Sequence, residues 1–322
     1  MLEIAEITDI VRLVEKNGGT MAGNESMEIK LQQGSIWRKV TIFLEMIKFS
    51  HTIFALPFAF TGAILAAGGL PSIYQTFWIL MAMVGARTAA MSLNRLIDAD
   101  IDGRNPRTKG RAIPAGLLSK GMVALFICLS VALMLWAARM LNPLCFYLSP
   151  IALFFLVLYS YCKRFTALAH VILGLCLAAA PLGAWIAITG NFSLPAVLLA
   201  LAVLVWVAGF DILYALQDLE FDRTSGLHSI PVSLGVSGSL WMARLLHLLM
   251  IGLLAGLYLT MQLGIFFLIG LITTVILAGY EHWLLRKGDL TKLDAAFFNM
   301  NGYISVVIFL FTLFDILVRG TA

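Results

Sequence analysis

The first segment that could do chemistry carries oxygen-bearing side chains at the spacing of one helical turn. Asn94, Asp98 and Asp102 recur every four residues. At about 100° per residue they form one stripe on a helix face, and Asp100 points away from it into solvent. Grouped hard oxygen ligands are those that Mg²⁺ prefers. The spacing therefore predicts a magnesium site at this point of the chain.

A second segment repeats the pattern further along the chain. Asp218 and Asp222 are again four residues apart, and Asp211 and Tyr214 lie within about 80° of them around a helix, whereas Glu220 lies on the opposite side. If the two segments face each other, four carboxylates crowd together and repel one another. They can all stay ionised only if cations lie between them.

Basic residues follow the first acidic segment and also end the fourth predicted span, and they could balance the charge of a metal-bound diphosphate leaving group. The alternative is that they only keep polar loops on the cytoplasmic side of a membrane. These residues are Arg104, Arg107, Lys109, Arg111, Lys163 and Arg164.

The elements that must position these residues are membrane-spanning helices. Of the 322 residues, 61% are hydrophobic and 12% are charged, whereas soluble domains have about 25% charged residues. Lipid is therefore the solvent for most of the chain. Nine apolar segments have the roughly 20 residues that a bilayer crossing needs. They cover about 48–70, 76–97, 120–140, 143–162, 166–190, 194–217, 239–261, 264–285 and 297–318.

The loops between these segments alternate between short, nearly uncharged connections and polar ones at about 98–119, 163–165, 218–238 and 286–296. Almost all lysines and arginines lie in the polar set or near the N-terminus, and basic loops stay cytoplasmic. We expect a multi-pass protein of the inner (cytoplasmic) membrane, with its N-terminus inside and its C-terminus outside. Both acidic segments then lie at the cytoplasmic face.

The predicted domain organisation is a polar cytoplasmic segment over residues 1–40 and one nine-helix domain over 41–322. The polar segment lacks the basic start and immediate apolar stretch of a signal peptide. A short helix, a disordered tail and a true start at Met27 are all compatible with it. No basic run is interleaved with aromatic residues, which argues against nucleic-acid binding.

The two acidic segments resemble the NxxxDxxxD and DxxxD motifs of the UbiA superfamily of intramembrane prenyltransferases. The stretch 104–116 resembles the RTxxRxxPxG sequence of that family. Within it, residues 159–166 and 211–222 are similar to the YxxxKRxT and DxxYAxxDxxxD segments of the branch that prenylates 4-hydroxybenzoate. The resemblance covers nearly the whole chain after residue 45.

The resemblance implies an all-α bundle that transfers a polyprenyl group from polyprenyl diphosphate to a small aromatic acid, most closely 4-hydroxybenzoate, in quinone synthesis. Arg87, two helical turns deeper than Asn94, would hold the acceptor's carboxylate, or else hydrogen-bond between helices. Asp211 would orient the acceptor hydroxyl or take a proton. Tyr214 would contact substrate or pack locally. The implied Mg²⁺ ligands are Asn94, Asp98, Asp102, Asp218 and Asp222. The implied diphosphate ligands are Lys163, Arg164, Arg111 and Lys109.

Departures from the family pattern leave the aromatic acceptor open. Arg95 and His228 stand where many members have aspartate and lysine, and Ile230-Pro231 resembles a branch that acts on a naphthoate in menaquinone synthesis. A cation-coupled secondary transporter is an alternative of another class. The acids, however, lie at one leaflet, and no span is broken at its middle as transporter helices often are. Prenyl length, the number of Mg²⁺ ions and the oligomeric state are not encoded in these patterns.

Overall fold

The computed structural model describes residues 36–47, 55–285 and 299–320, and within these ranges every regular element is helical. The chain divides into two compact units, residues 1–45 and 46–322. The described part of the first unit is residues 36–45, which belong to helix α1 (Ile36–Met46). The polar segment up to residue 35 and the predicted loop 286–296 lie outside the described residues, so the predicted boundary between residues 40 and 41 stays a prediction.

The second unit contains eight helices that are long and apolar enough to cross a membrane. The predicted multi-pass, all-α architecture is therefore confirmed. The first predicted span, 48–70, is described only as the 12-residue α2 (Leu56–Ala67), since 48–54 lie outside the described residues. The eight long helices are α3 (Ile73–Ile97), α5 (Lys120–Leu141), α6 (Pro143–Cys162), α7 (Ala169–Thr189), α8 (Leu194–Ala215), α10 (Ile230–Met261), α11 (Ile265–Leu284) and α12 (Asn301–Gly320). Two six-residue helices, α4 (Ala99–Arg104) and α9 (Leu219–Thr224), follow α3 and α8.

Short polar caps set the ends of the spans. Ser72 and Gln75 form a capping box at the start of α3, and the Asn142 side chain accepts a hydrogen bond from the Cys145 backbone N–H at the start of α6. These side chains satisfy backbone N–H groups that have no partner inside the helix. Such caps explain why loops of only a few residues join α2 to α3 and α5 to α6.

The predicted loop 218–238 is too long, because α10 begins at Ile230 rather than near residue 239. Ser229 caps the helix by accepting a hydrogen bond from the Val232 N–H, and Pro231 suits the first turn. Gly235 interrupts the helix with φ 66° and ψ −177°, a conformation that only glycine adopts without strain. Its glycine and neighbouring serines made this stretch look like a loop in the sequence.

Helix α8 lies at the centre of the described bundle and packs against α7 and α10. Trp206 is fully buried and its ring lies 5.0 Å from those of Phe58 and Phe210. At Gly174 on α7, a Cβ atom would lie 2.3 Å from the Leu204 carbonyl oxygen. Such contacts need glycine, and they bring the membrane helices close together.

A buried polar network ties α8 to the last two helices. Trp206 Nε1 donates to Asn301 Oδ1 at 2.8 Å, and Asn301 Nδ2 donates to Glu281 Oε1 at 3.0 Å. His247 and His282 contact each other through ring nitrogens 3.0 Å apart. Hydrogen bonds are retained inside apolar bundles because an unpaired polar group there is costly. These contacts therefore hold α8, α10, α11 and α12 in register.

Candidate active site

Both acidic segments lie where a long helix is interrupted at an aspartate. Helix α3 ends at Ile97, Asp98 has φ −90° and ψ 3°, and α4 follows at once. Helix α8 passes into a 3₁₀ turn that ends on Asp218, whose φ −100° and ψ 3° are nearly the same, and α9 follows. The second aspartates, Asp102 and Asp222, therefore lie in short helices beyond each break.

At the end of α3, each carboxylate is held by an arginine. Arg164 Nη2 lies 3.0 Å from Asp98 Oδ1, and Asn94 Nδ2 donates to Asp98 Oδ2 at 2.8 Å. Arg111 Nη1 donates to both oxygens of Asp102, at 2.6 and 2.7 Å. Burial raises the pKa of Asp98, and the positive charge of Arg164 offsets only part of that rise.

At the end of α8, the partners come from other parts of the chain. Arg107 donates to both oxygens of Asp218, with Nε 2.9 Å from Oδ1, and Asn105 Nδ2 donates to the same Oδ1 at 3.1 Å. Lys163 Nζ lies 3.5 Å from Asp222 Oδ2. Burial would lower the pKa of Arg107, but its bonds to Asp218 outweigh this and leave that pKa above its usual value.

Four cations thus pair with four carboxylates, and two of the cations join the ends. Lys163 and Arg164 are adjacent, yet they contact Asp222 and Asp98 respectively. The two acidic segments therefore face each other, as the sequence suggested they could. Asp100, with its side chain 87% exposed, and exposed Glu220 point away from the site as expected from helical spacing.

The paired carboxylates lie at one end of a cavity of about 660 Å³. Its opposite end is lined by apolar residues near the far ends of α5 and α7, including Leu141 and Ile186, and by Phe192. Lining residues of α7 run from Ala169 to Ile186, which is about 25 Å of helix at 1.5 Å per residue. The cavity is therefore polar at one end and apolar over most of its length.

Three further residues singled out in the sequence also line this cavity: Arg87, Asp211 and Tyr214. Asp211 Oδ2 lies 2.7 Å from His170 Nδ1, and the Arg107 guanidinium lies 5.7 Å from the Tyr214 ring centre. His170 is fully buried. Its role could not be read from the sequence, because its partner lies 41 residues away on another helix.

The basic residues that line the cavity are not all those expected from the sequence. Lys109 is exposed and does not line the cavity, whereas Arg107, from the same loop, lines it and contacts Asp218. Sequence proximity grouped Arg107 with the first acidic segment, and the chain folds it onto the second. Asn105, which carried no signal in the sequence, accompanies it.

The donor set suits Mg²⁺ that is shared with a phosphate. Among the described residues, no three histidine, cysteine, aspartate or glutamate side chains are close enough together to hold a metal ion by themselves. Mg²⁺ typically binds one or two carboxylates and substrate phosphates instead of an all-protein cage. The five predicted oxygen ligands, all at the polar end of the cavity, fit that arrangement. They are Asn94, Asp98, Asp102, Asp218 and Asp222.

Comparisons with known proteins agree with this architecture. A curated 4-hydroxybenzoate octaprenyltransferase from Francisella tularensis subsp. tularensis (strain WY96-3418) is 30% identical over 262 residues, which cover 80% of this chain and 89% of the relative. The apo structure of a UbiA homolog from Aeropyrum pernix K1 superposes with a TM-score of 0.76 and 31% identity, and covers 83% of this chain and 98% of that one.

A UbiA homolog from Archaeoglobus fulgidus bound to DMAPP and Mg²⁺ shares the fold, with a TM-score of 0.62 and 19% identity over 83% of this chain and 98% of that one. The UbiA prenyltransferase family matches residues 55–303, which is most of the chain and includes both acidic segments. The resemblance seen in the motifs is therefore confirmed, and the chain belongs to the UbiA prenyltransferase family.

Proposed function

We propose that this protein is an Mg²⁺-dependent aromatic prenyltransferase that transfers a polyprenyl group from polyprenyl diphosphate to 4-hydroxybenzoate. The observation that carries the proposal is the division of one cavity into a charged end and a long apolar end. A polyprenyl diphosphate has the same division, with an anionic head and an apolar tail. The name of the Francisella relative and the ligands of the Archaeoglobus homolog support the same substrates and metal.

The residues at the charged end of the cavity would stabilise the diphosphate as it leaves the prenyl group. Asn94, Asp98, Asp102, Asp218 and Asp222 would hold Mg²⁺, which when bound offsets the charge of the leaving diphosphate. Arg107, Arg111 and Lys163 line the cavity beside them and can donate to phosphate oxygens. Fixed cations that meet charge as it develops lower the barrier to breaking the C–O bond. Arg164, which pairs with Asp98, keeps that carboxylate in place.

The apolar length of the cavity would shelter the allylic cation from water. Arg87 lines the cavity two helical turns deeper than Asn94, where its planar guanidinium can bind the carboxylate of the acceptor. Asp211, at the cavity wall, would accept a hydrogen bond from the hydroxyl of the acceptor. The electron-rich ring carbon beside that hydroxyl is then presented to the cation, which is the requirement for C-prenylation.

The orientation in the membrane is part of the same proposal. Basic residues at the charged end support an orientation with that end on the cytoplasmic side, the N-terminus inside and the C-terminus outside. An inner bacterial membrane suits this arrangement. Substrate carried in the bilayer would then reach the charged end from within the membrane, and the aromatic acid would arrive from the cytoplasm.

The test is an assay of membranes that contain the protein, with Mg²⁺, a long-chain prenyl diphosphate and radiolabelled 4-hydroxybenzoate. Parallel reactions use 1,4-dihydroxy-6-naphthoate as acceptor, or EDTA in place of Mg²⁺. We expect Mg²⁺-dependent prenylation of 4-hydroxybenzoate that is abolished by EDTA. Product from the naphthoate alone would keep the mechanism and replace the acceptor. If neither acceptor is prenylated, the proposal is contradicted.

A further inference from the structure

A buried histidine contacts the only acidic cavity residue that has no lysine or arginine partner among the described residues. His170 lies near the N-terminal end of α7, is 0% exposed, and places Nδ1 2.7 Å from Asp211 Oδ2 on α8. The other four cavity aspartates pair with arginine or lysine. Asp211 is therefore held in a different way from the carboxylates that would bind the metal.

The hydrogen bonds around His170 define its tautomer. The backbone N–H of Ile230, at the start of α10, donates to His170 Nε2 at 3.4 Å. A nitrogen that accepts from an N–H carries no proton, so in the neutral ring the proton is on Nδ1. Nδ1–H then donates to Asp211 Oδ2. His170 thus connects three helices and presents one defined donor to one carboxylate oxygen.

This contact fixes the direction of the carboxylate. With Oδ2 held by His170, Oδ1 is the oxygen of Asp211 that can be presented to the cavity that the residue lines. A single N–H donor contacts one oxygen of the carboxylate, whereas an arginine can contact both, as Arg107 and Arg111 do at Asp218 and Asp102. A carboxylate that is oriented toward bound substrate is placed to accept a proton from it.

We propose that His170 is the positioning residue that holds Asp211 as the proton acceptor for the aromatic substrate, an inference that rests on the proposed function. The C–O bond of the prenyl diphosphate breaks, and its electron pair leaves with the diphosphate. A π electron pair of the ring forms the new C–C bond. The C–H electrons at that carbon return to the ring, and its proton passes to Asp211 and then to solvent on product release.

The experiment compares His170→Ala and His170→Asn with wild type in detergent-solubilised, Mg²⁺-supplemented protein. Loss of a residue that orients a catalytic group typically costs about 10- to 100-fold, and we expect His170→Ala to lower kcat by that amount. The KM for the prenyl diphosphate should stay within about twofold, because this contact serves a step after its binding. His170→Asn keeps a donor at the position of Nδ1 and should restore most of the lost kcat.

A double-mutant cycle separates positioning from a general packing role. If His170 acts through Asp211, His170→Ala should lower the rate of Asp211→Asn by no more than about twofold, because the two residues act as a unit. Binding of geranyl diphosphate and Mg²⁺, measured by equilibrium titration, should be retained in all four proteins. Independent, multiplicative losses in the cycle, or wild-type kcat in His170→Ala, would overturn the assignment.

Turnover by the wild-type protein shows whether a negative result concerns only the role of His170 or the proposed function as a whole. If wild type prenylates either acceptor while the cycle gives multiplicative losses, only the role of His170 is overturned. If wild type prenylates neither acceptor, the proposed function falls, and this inference falls with it. Should His170→Ala not fold, His170→Leu, which fills the buried space without a hydrogen-bond donor, gives the same cycle with Asp211→Asn and the same expected coupling.

Discussion

The ends of α3 and α8 are built alike but are held in different ways. Each is interrupted at an aspartate, by one residue after α3 and by a three-residue 3₁₀ turn after α8, and a six-residue helix with a second aspartate follows. At the end of α3, Asp102 is held by Arg111 from the loop that directly follows it. At the end of α8, Arg107, Asn105 and Lys163 all come from earlier parts of the chain.

The helices that carry these two ends also differ in their surroundings. Helix α8 is buried along nearly its whole length, whereas much of α3 faces the cavity or the outside of the bundle. The second end is therefore fixed by packing and by three side chains from earlier parts of the chain. The first end is fixed by one arginine of its own loop, Arg111, and by Arg164 from the end of α6. The loop 105–119 thus serves the opposite helix end as much as its own.

The largest expected effect comes from removing one aspartate at either end. Asp98→Ala and Asp218→Ala should each lower turnover by at least about 10²-fold, the loss typical of one electrostatic group that stabilises a transition state. The protein should stay folded and membrane-inserted. Turnover assays and size-exclusion profiles of the purified variants check both statements. Wild-type activity in either variant would remove that residue from the metal site.

The chain supplies a matched control at each end. Asp100 and Glu220 are exposed acids next to the site residues. Asp100→Ala and Glu220→Ala should keep activity within about twofold, because exposed charges contribute little. If a control lost as much turnover as Asp98→Ala, negative charge anywhere near the helix end would be sufficient, and the specific positions of the cavity aspartates would not matter.

The next largest loss of activity is expected from removing Arg107 or Arg111, two arginines of one loop that contact different aspartates. Arg107→Ala and Arg111→Ala should each lower kcat/KM by about 10- to 100-fold, and Arg107→Lys should recover only part, because lysine cannot replace a two-nitrogen contact. In thermal-unfolding cycles, Arg107 should couple to Asp218 and Arg111 to Asp102. Exposed Arg104 gives the control, since Arg104→Ala should change neither quantity. Coupling of Arg107 to Asp102 would contradict the crossed arrangement.

A smaller effect on activity, seen mainly in stability, is expected at the glycine contacts beneath the two ends. A Cβ at Gly174 would lie 2.3 Å from the Leu204 carbonyl oxygen of α8, and one at Gly85 of α3 would lie 2.7 Å from the Met134 nitrogen. Because backbone atoms cannot yield easily, Gly174→Ala should lower the free energy of unfolding by about 1–3 kcal/mol, and Gly85→Ala by somewhat less. Thermal unfolding in detergent measures both.

Gly183, on the same helix as Gly174, offers open space for a side chain. A methyl group there would have no atom of another helix within 4 Å in the described part of the chain. Gly183→Ala is therefore the stability control, and it should be neutral or slightly stabilising because alanine favours helix. Equal destabilisation by Gly174→Ala and Gly183→Ala would show that the close approach of α7 to α8 does not limit stability.

The smallest effect is expected at Lys109. The sequence suggested that it binds diphosphate, but its side chain is exposed and outside the cavity. Lys109→Ala should therefore change kcat/KM by less than about twofold, as is typical of an exposed charge. A loss as large as that of Arg107→Ala would restore Lys109 to the substrate site and weaken the distinction between the two residues.

Helical spacing was sufficient to predict the acidic stripes and the orientation of Asp100, because these depend on local geometry alone. The spans were also predicted well, since bilayer thickness fixes their length. The predicted start of α10, near residue 239, was wrong because Gly235 and the polar residues around it are typical of a loop, although the helix begins at Ile230. His170 and Arg107 could not be assigned, because their partners are 41 and 111 residues away in the chain. Contacts at such distances are set by packing, which periodicity does not contain.

The crossed ion pairs have a consequence for how the protein is made. Arg107 leaves the ribosome 111 residues before Asp218, and Lys163 leaves it 59 residues before Asp222. Neither ion pair can therefore form until the end of α8 and the helix that follows it have been synthesised. The pairing that joins the two acidic segments is then a late step of assembly, and a chain that ends before α8 would lack the carboxylate partners of both cations.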